Sequence, residues 1–159
     1  MVAIRAFIAT DAESVQLIMT SCTSELRAVY APKPQAEIVS ANNSSPNSRV
    51  VAVDHVDTVI GVAECIAHPF ALYVQGIAVA PTHRRRGVAS ALLGYIATLA
   101  VDLGLPALQV ATIKETGNVE VFKRLGFAVI EERTSERFLG QHGQPVTEVT
   151  LKRHVAWDQ

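Results

Sequence analysis

A long apolar helix, reached from a strand through a turn of three arginines and a glycine, is the feature that most restricts the fold of this chain. Apolar residues recur at helical spacing from about Arg84 to Leu103, and Gly104 and Pro106 follow as stop signals. The helix carries few charged residues, so it must be largely buried. The chain therefore needs other secondary structure to cover it.

The composition provides the core that such a helix requires. Hydrophobic residues make up 49% of the 159 residues and charged residues 18%, which excludes a disordered tail or a polar repeat protein. A chain of about 150 residues is typical of one domain. Residues 1–159 are therefore predicted to form a single domain.

The charge balance and the cysteines narrow the class of protein. There are 14 Lys and Arg against 15 acidic residues, a net charge of −1, which argues against a generally basic nucleic-acid-binding protein. Cys22 and Cys65 lie far apart, with neither CxxC nor metal-ligand spacing, so we expect a reduced cytoplasmic protein without a disulfide or a metal. No apolar run is long enough to predict a membrane span, and Arg5 interrupts the apolar amino terminus, unlike a signal peptide.

Alternating strand and helix patterns predict about seven strands and four helices. The predicted strands are Val2–Ile8, Arg49–Asp54, Thr58–Ala67, Ala71–Val79, Ala107–Ile113, Phe127–Arg133 and Val146–His154. The other predicted helices are one from a capping box at Thr10–Glu13 to about Tyr30, an uncertain one before residue 41, and Asn118–Leu125. Turn-forming residues predict loops over Ala41–Ser48 and Glu136–Pro145. This order is typical of an α+β (α/β) domain with a mixed, mainly antiparallel sheet flanked by helices.

The turn that precedes the long helix has the chemistry of an anion cradle. The strand before it runs into Ala80-Pro81, and Arg84-Arg85-Arg86-Gly87 then leads into the helix. The first turn of a helix has unpaired backbone N–H groups and the positive end of the helix dipole. The arginines add positive charge, and the small residues Gly87, Ala89 and Ser90 let a phosphate approach the backbone. A diphosphate is the expected ligand.

Other phosphate-binding loops are excluded by the sequence. Neither the Walker pattern GxxxxGK[ST] nor the dinucleotide pattern GxGxxG occurs, which argues against a nucleotide triphosphatase or a dehydrogenase. The segment Arg84–Ala89 fits [RQ]xxGx[GA], and with the preceding Ile77–Pro81 it resembles the acetyl-CoA signature of the GCN5-related N-acetyltransferases, the GNAT family. Phe122–Phe127 is similar to that family's Tyr-x-x-x-Gly-Phe segment. The resemblance covers roughly Val2 to Arg153 and is most specific from Tyr73 to Phe127.

The resemblance implies an N-acetyltransferase that uses acetyl-CoA as cosubstrate. It implies that backbone amides from Arg85 to Ser90 hold the CoA diphosphate, and that Ile77 to Val79 offer backbone groups to pantetheine and the acetyl carbonyl. The strands Ala71–Val79 and Ala107–Ile113 are expected to splay apart, so that the cofactor arm enters the gap like a missing strand. The cofactor-binding residues expected on this basis are Ile77, Ala78, Val79, Arg84, Arg85, Arg86, Gly87, Val88, Ala89, Ser90, Asn118 and Phe122.

Two positions depart from the family pattern. Phe122 stands where the family usually has the tyrosine that protonates the leaving CoA thiolate, and it has no proton to donate. A thiolate whose thiol has a pKa of about 8.5 can leave unprotonated, so this loss is expected to slow the reaction and need not abolish it. The family's asparagine falls at Glu115, whereas Asn118 lies closer to Phe122. Asn118 either contacts pantetheine by a shifted route or caps its helix.

A general base is needed because an amine with a pKa of about 10 is protonated at neutral pH. If Pro69-Phe70 forms a two-residue turn, Ile66 faces Tyr73. Glu64 then faces Gln75, on the same side of the sheet as Tyr73. In some members of the family the base glutamate stands at the position of Tyr73, so Glu64 beside it is a candidate base acting through water. The other interpretation is that Glu64 is a solvated, outward-facing residue.

The sequence therefore predicts an N-acetyltransferase in which an amine attacks acetyl-CoA directly within a ternary complex. Two alternatives stay open: a CoA-binding sensor of the same fold without turnover, and a nucleic-acid-binding module that uses Arg84 to Arg86. The acceptor is a small-molecule or peptide amine chosen by loops such as Pro32–Ser48 and Glu136–Pro145. Cys65 is expected to be a buried apolar residue, with an acyl-carrying nucleophile as the other reading. No nucleic-acid or membrane partner is expected, and small domains of this kind are often homodimers.

Overall fold

The computed structural model describes residues 2–33 and 48–155, which form two compact units. The first unit comprises residues 2–22, 48–109 and 154–155, and the second comprises residues 23–33 and 110–153. That residues 1–159 form one domain stays a prediction. The predicted loop at Ala41–Ser48 and the uncertain helix before it lie outside the described residues, except that Ser48 begins a strand.

The described residues contain eight strands and three α-helices. The strands are β1 (Ala3–Ala6), β2 (Tyr30–Pro32), β3 (Ser48–Val53), β4 (Val59–His68), β5 (Ala71–Val79), β6 (Ala107–Ile113), β7 (Ala128–Gly140) and β8 (Pro145–His154). The helices are α1 (Ala12–Arg27), α2 (Val88–Asp102) and α3 (Asn118–Arg124), with short 3-10 turns at Ala9–Asp11, Pro81–His83 and Lys114–Thr116. The predicted α+β class with a mixed, mainly antiparallel sheet is confirmed, and β2 is a strand that the sequence pattern did not predict.

The first unit places its strands in the order β1-β3-β4-β5-β6. The pairs from β1 to β5 are antiparallel, and β5 pairs with β6 in parallel. The β3–β4 and β4–β5 hairpins were both predicted from their valine and isoleucine content and their short connections. In the first of these turns Asp54 accepts hydrogen bonds from the N–H groups of Val56 and Thr58, at 3.0 and 2.9 Å.

Helices cover both faces of the sheet in the first unit. Val15 and Ile18 of α1 pack in a buried cluster with Val62 of β4. Gly61, the residue just before Val62 on β4, faces Val88 and Leu92 of α2. Because successive residues of a strand point to opposite faces, α1 and α2 lie on opposite sides. Leu92, Leu93 and Ile96 are fully buried, which confirms that α2 is a core helix.

The second unit places its strands in the order β6-β8-β7-β2 and contains α3. Tyr30 of β2 pairs with Gly140 of β7 and packs edge-on against the Phe138 ring, with centroids 5.0 Å apart. The predicted loop at Glu136–Pro145 is wrong in extent, because β7 runs to Gly140 and β8 begins at Pro145. A short turn, closed by a 2.7 Å hydrogen bond from the N–H of Gly140 to the carbonyl of Gln144, joins the two strands.

Both predicted long helices are shorter than their apolar patterns suggested. The first was predicted to reach about Tyr30, but α1 ends at Arg27 and Tyr30 joins a strand. The second was predicted from about Arg84, but α2 begins at Val88. Arg85 and Gly87 have φ angles of 63° and 79°, a left-handed conformation that no α-helix accommodates. The segment before Val88 is therefore a turn.

The amino-terminal cap of α1 also differs from the predicted capping box at Thr10–Glu13. A 3-10 turn precedes α1, and the carboxylate of Asp11 accepts a 2.9 Å hydrogen bond from the N–H of Ile8. Two further hydrogen bonds, at 2.8 and 3.0 Å, come from the guanidinium of Arg5 on β1. The carboxylate that caps the helix is thus the residue that also ties it to the sheet.

We predict that Asp11 makes the stability of the protein depend on pH below about 4. Asp11 is 4% exposed, and its hydrogen bonds from Arg5 hold its pKa below the ordinary value. A depressed carboxylate pKa stabilises the fold above the unfolded pKa of about 3.9, and this contribution is lost as the pH falls through the folded pKa. Asp11→Asn should therefore be less stable than the wild type at pH 7, and the gap in the free energy of unfolding should narrow below about pH 4.

Denaturant unfolding at a series of pH values measures this gap. Asp57→Asn is the matched control, because Asp57 lies 3.8 Å from the same guanidinium but its side chain is 77% exposed. An exposed pair of this kind contributes little. If Asp11→Asn and Asp57→Asn lowered the free energy of unfolding equally at pH 7, the role given to Asp11 would be contradicted.

Candidate functional site

The end of β5 presents backbone groups on the side away from β4. The N–H of Ala80 donates a 2.8 Å hydrogen bond to the carbonyl of Ile60, and Ala78 is paired with Val62. Because backbone groups alternate in direction along an antiparallel strand, those of Val79 and Ile77 point away from β4. On that side β5 pairs in parallel with β6 at its start, where Leu72 and Tyr73 lie opposite Leu108 and Gln109.

The turn after β5 has the geometry of an anion-binding nest. Arg84 is extended, with φ −72° and ψ 156°, and Arg85 and Gly87 are both left-handed. Left-handed residues at alternate positions are a feature of backbone turns that bind anions, and we call the segment Arg84–Gly87 the nest. The predicted cradle from Arg85 to Ser90 therefore begins one turn before the helix itself.

The first turn of α2 continues the same row of N–H groups. Its first helical hydrogen bond runs from the N–H of Ala91 to the carbonyl of Gly87, at 3.0 Å. The amides of Val88, Ala89 and Ser90 precede that bond and have no partner within the helix. No acidic residue lies in this first turn, so α2 itself supplies no carboxylate that would compete for the amides. A Cβ atom added to Gly87 would meet nothing within 4 Å, which shows open space beside the turn.

Gly61 sets the position of this helix terminus on the sheet. A Cβ atom at Gly61 would lie 3.0 Å from Cγ1 of Val88 and 3.3 Å from the carbonyl oxygen of Ala78. These distances are tighter than most Cβ contacts in proteins, so a larger residue at Gly61 would force Val88 or the strand to move by a few tenths of an ångström. The nest and the end of β5 are thereby held on the same rigid support.

A cavity of about 370 Å³ lies beside the nest in the first unit. It is lined by the basic side chains His55, His83 and Arg86, by Gly87 at the start of α2, and by Asp54. The N–H of Thr58 is the main cause that holds the pKa of Asp54 below its usual value, with smaller contributions from the N–H of Val56 and the charges of the two histidines. The cavity concentrates basic groups at the helix terminus.

The guanidinium of Arg84 contacts other groups of the protein, although the resemblance implied that Arg84 would bind the cofactor. Its Nε lies 3.4 Å from the carbonyl oxygen of Val79, and its Nη2 lies 3.4 Å from Sγ of Cys22 on α1. Sγ of Cys22 lies 3.7 Å from the same carbonyl oxygen of Val79. Cys22 was not predicted from the sequence as part of the site, although it packs against the buried cluster between α1 and the sheet.

Glu64 is a buried carboxylate, 8% exposed, so the interpretation of a solvated outward residue is wrong. Its Oε2 lies 2.7 Å from Nε of Arg49, its cross-strand partner on β3. The guanidinium of Arg49 also lies over the ring of Phe7, 4.9 Å from its centroid. The three-residue connection His55–Asp57 alone would place Arg49 opposite Ala63, and the register shift between Ala52 and Val53 moves it opposite Glu64, so the hairpin pattern in the sequence did not predict this pair.

The predicted neighbours of Glu64 need one correction. Pro69-Phe70 does form a two-residue turn, and Ile66 faces Tyr73 as expected. Glu64 however faces Gly76, not Gln75, because a bulge in β5 inserts an extra residue between the partners of Glu64 and Cys65. Glu64 and Tyr73 still share one face of the sheet, since Glu64 and Ile66 are two residues apart on β4.

Cys65 is fully buried on β4. Burial first, and the charge of Glu64 second, raise the pKa of its thiol to about 12. A thiol with this pKa stays protonated at neutral pH and is a poor nucleophile. The structure therefore supports the interpretation of Cys65 as a buried apolar residue. Within residues 2–33 and 48–155, no three His, Cys, Asp or Glu side chains are arranged to hold a metal ion.

The remaining predicted residues lie in the second unit. Asn118 is the first residue of α3, and the N-cap is Gly117, so the predicted capping role of Asn118 is wrong. Phe122 is half-buried and packs edge-on against Phe127, with ring centroids 5.6 Å apart. Glu115 accepts a 2.9 Å hydrogen bond from the N–H of Thr147. The contacts of Asn118 and Phe122 with a cofactor stay predictions.

Solved structures with the same fold are numerous. A GCN5-related N-acetyltransferase from Kribbella flavida is 25% identical, with a TM-score of 0.74 over 96% of this chain and 97% of that one. Ard1 from Thermoplasma volcanium is 20% identical, with a TM-score of 0.73 over 98% and 99% of the two chains. A phosphinothricin acetyltransferase from Sinorhizobium meliloti, solved with acetyl-CoA, is 20% identical, with a TM-score of 0.70 over 98% and 89%.

The sequence itself also matches a family model. No curated protein matches it. Residues 13–127 match the model of the acetyltransferase (GNAT) family, and this stretch contains β5, the nest and α2. The chain belongs to the GNAT family of acetyltransferases.

Proposed function

We propose that the protein transfers an acetyl group from acetyl-CoA to a primary amine by direct attack within a ternary complex. The observation that carries this proposal is the continuous row of backbone N–H groups from the left-handed Arg85 to the first turn of α2. It lies at the end of a strand whose last backbone groups face away from their antiparallel neighbour. A diphosphate and an extended amide chain joined end to end, as in CoA, match these two features.

The cofactor roles follow from these directions. The amides from Arg85 to Ser90 bind the diphosphate, and the charges of Arg85 and Arg86 add to the attraction. The outward backbone groups of Ile77 bind the pantetheine amides as an added strand would. The backbone of Ala78 pairs with β4 and its side chain is buried in the cluster with Val15 and Ile18, so its role is to hold the strand in place. The N–H of Val79 polarises the thioester carbonyl.

The chemical step forms a C–N bond and breaks a C–S bond. The neutral amine attacks the thioester carbon, the CoA thiolate leaves with the bonding electron pair of the C–S bond, and the nitrogen releases its excess proton to solvent water to give the neutral amide. The proton of the acceptor ammonium passes to Glu64 through water beside Tyr73, because Glu64 is the buried carboxylate that shares a face with Tyr73. An acyl-cysteine intermediate on Cys65 is disfavoured by the raised pKa of that thiol.

The alternative function is a CoA-binding sensor without turnover. It is favoured by Phe122, because a phenyl ring packed on Phe127 cannot donate a proton to the leaving thiolate. We favour an active enzyme, since losing one proton donor typically costs on the order of 100- to 10,000-fold and a thiolate needs protonation least. The acceptor is a small-molecule or peptide amine, and a homodimer stays a prediction.

A cytoplasmic location also stays a prediction. Over residues 2–33 and 48–155, the helices are too short or too polar to span a membrane.

The function is tested with a panel of amines and acetyl-CoA, following the release of free thiol. The panel covers amino acids, polyamines, aminoglycosides, peptide amino termini and peptide lysines. At least one class should give thiol release together with an acetylated product. CoA binding without transfer to any amine supports the sensor. Salt-sensitive nucleic-acid binding without CoA binding supports a nucleic-acid-binding module that uses Arg84 to Arg86.

We predict that Gly87→Val abolishes CoA binding and leaves the domain folded. The φ of 79° at Gly87 is unfavourable for a β-branched residue, and the added side chain occupies the open space in which the phosphate approaches. Acetyl-CoA should raise the melting temperature of the wild type, as any ligand selective for the native state does. The variant should lose this shift.

Gly104→Val is the control for strain alone. Gly104 has a φ of 74° and lies beyond the other end of α2. The Gly104→Val variant should have a lower melting temperature than the wild type, but acetyl-CoA should still raise that temperature. Normal CoA binding by Gly87→Val would place the diphosphate elsewhere.

We predict that Phe122→Tyr keeps or modestly raises the rate of transfer. The new hydroxyl would add a proton donor beside the leaving sulfur, so the pH profile of CoA release should gain a limb between about pH 8 and 10 that the wild type lacks. Phe127→Tyr is the comparison, because Phe127 packs on Phe122 but is buried. Identical rates and pH profiles for wild type and Phe122→Tyr would remove position 122 from the leaving-group site.

A further inference from the structure

The inference concerns Arg84 and rests on the proposed function. We propose that Arg84 is a positioning residue that holds the end of β5 against α1 and the nest, and that it acts through Val79 and Cys22 instead of binding the diphosphate. We call the guanidinium of Arg84, the thiol of Cys22 and the carbonyl of Val79 the Arg84 clasp. The clasp consists of the 3.4, 3.4 and 3.7 Å contacts among these groups.

The carbonyl of Val79 needs such partners because of where it lies. It points away from β4, so the antiparallel ladder does not satisfy it. The residue two positions later is Pro81, which has no N–H to continue a sheet. A turn closed by a 2.8 Å hydrogen bond from the N–H of His83 to the carbonyl of Ala80 then brings Arg84 back toward the strand. The clasp supplies two donors to a carbonyl that has no partner in the β4–β5 ladder.

The clasp joins three elements at the point where the acetyl group is proposed to lie. Val79 ends β5 and supplies the N–H that polarises the thioester carbonyl. Arg84 is the last extended residue before the left-handed Arg85, so it fixes where the nest begins. Cys22 brings in α1, whose residues Val15 and Ile18 pack on the same face of the sheet as Ala78. Fixing these parts together orients the thioester relative to the diphosphate.

This role separates Arg84 from its neighbour Arg86. The exposed guanidinium of Arg86 lines the cavity at the start of α2 and is placed to attract an anion. The guanidinium of Arg84 is directed to a carbonyl oxygen and a sulfur atom. Loss of Arg84 should therefore misplace the reacting group, whereas loss of Arg86 should weaken binding of the diphosphate.

The experiment compares Arg84→Ala, Arg84→Gln and Cys22→Ala with Arg86→Ala in the full chain. Arg84→Gln keeps an N–H donor and removes the charge, and Arg86→Ala removes the same charge from the same turn. Binding is measured by calorimetry with CoA and with 3′-phospho-ADP, which carries the diphosphate but no pantetheine. Values of kcat and KM for acetyl-CoA are measured with one accepted amine.

We expect Arg84→Ala to bind 3′-phospho-ADP within about twofold of the wild type at low and high salt. Its kcat should fall by about 10- to 100-fold, the usual effect of misplacing a reacting group by about 1 Å. Arg84→Gln should recover most of the kcat, and Cys22→Ala should lower it less than Arg84→Ala does. A double variant with both Arg84→Ala and Cys22→Ala should lose less kcat than the product of the two single losses, because both side chains act on the carbonyl of Val79. Arg86→Ala should act mainly on KM and weaken 3′-phospho-ADP binding in a salt-dependent way.

The contact between Arg84 and Cys22 is also tested without cofactor. Cys22 is half-buried, whereas Cys65 is buried with a thiol pKa of about 12, so an aromatic disulfide reagent reports on Cys22 in the folded protein. Arg84→Ala should change the rate of this reaction at least severalfold, and Arg86→Ala should not.

Two results would overturn the proposal. The first is an Arg84→Ala variant with normal kcat and salt-dependent loss of 3′-phospho-ADP binding, which would make Arg84 a phosphate ligand. The second is an Arg84→Ala variant in which Cys22 reacts with the disulfide reagent at the wild-type rate, which would show that Arg84 does not contact Cys22. A wild type that neither binds CoA nor transfers acetyl to any amine would instead overturn the proposed function on which the role of Arg84 rests.

Discussion

The close approach of α2 to the sheet at Gly61 is the constraint on which the candidate site depends. A helix terminus attracts an anion only over its first turn, so its position relative to the strand that guides the rest of the ligand must be fixed closely. Gly61 allows that position because it has no side chain between β4 and Val88. The buried residues Leu92, Leu93 and Ile96 then hold the helix along its length. The same contact therefore packs the core and sets the geometry of the candidate site.

The sequence predicted the elements well where hydrophobic periodicity was strong. The bounds of β5 and β6 were predicted to the residue, and α2 was predicted as a buried helix because it carries few charges. The error lay at its start, where Arg84, Arg85 and Arg86 are good helix formers that the structure holds in a turn. Local propensity could not reveal that conformation, since the left-handed φ of Arg85 is imposed by the chain on either side.

The candidate site was predicted less completely than the fold. The glycine and arginine pattern predicted the nest, because that chemistry is local in sequence. Glu64 and Tyr73 were placed on one face by counting residues from a turn, but the bulge in β5 moved Gly76 into the place expected for Gln75. The pair of Cys22 with Arg84 joins residues 62 positions apart. Contacts of that range depend on how the layers pack, and a single sequence does not contain them.

The nest has a consequence for how this protein can change over time. Its binding groups are main-chain N–H groups, which every residue except proline possesses. Selection for cofactor binding would therefore act on backbone conformation, through Gly61 and Gly87, more than on the side chains that surround the ligand. Under the proposed function, the side chains that contact the acceptor amine can change during evolution while the backbone that binds the cofactor is retained.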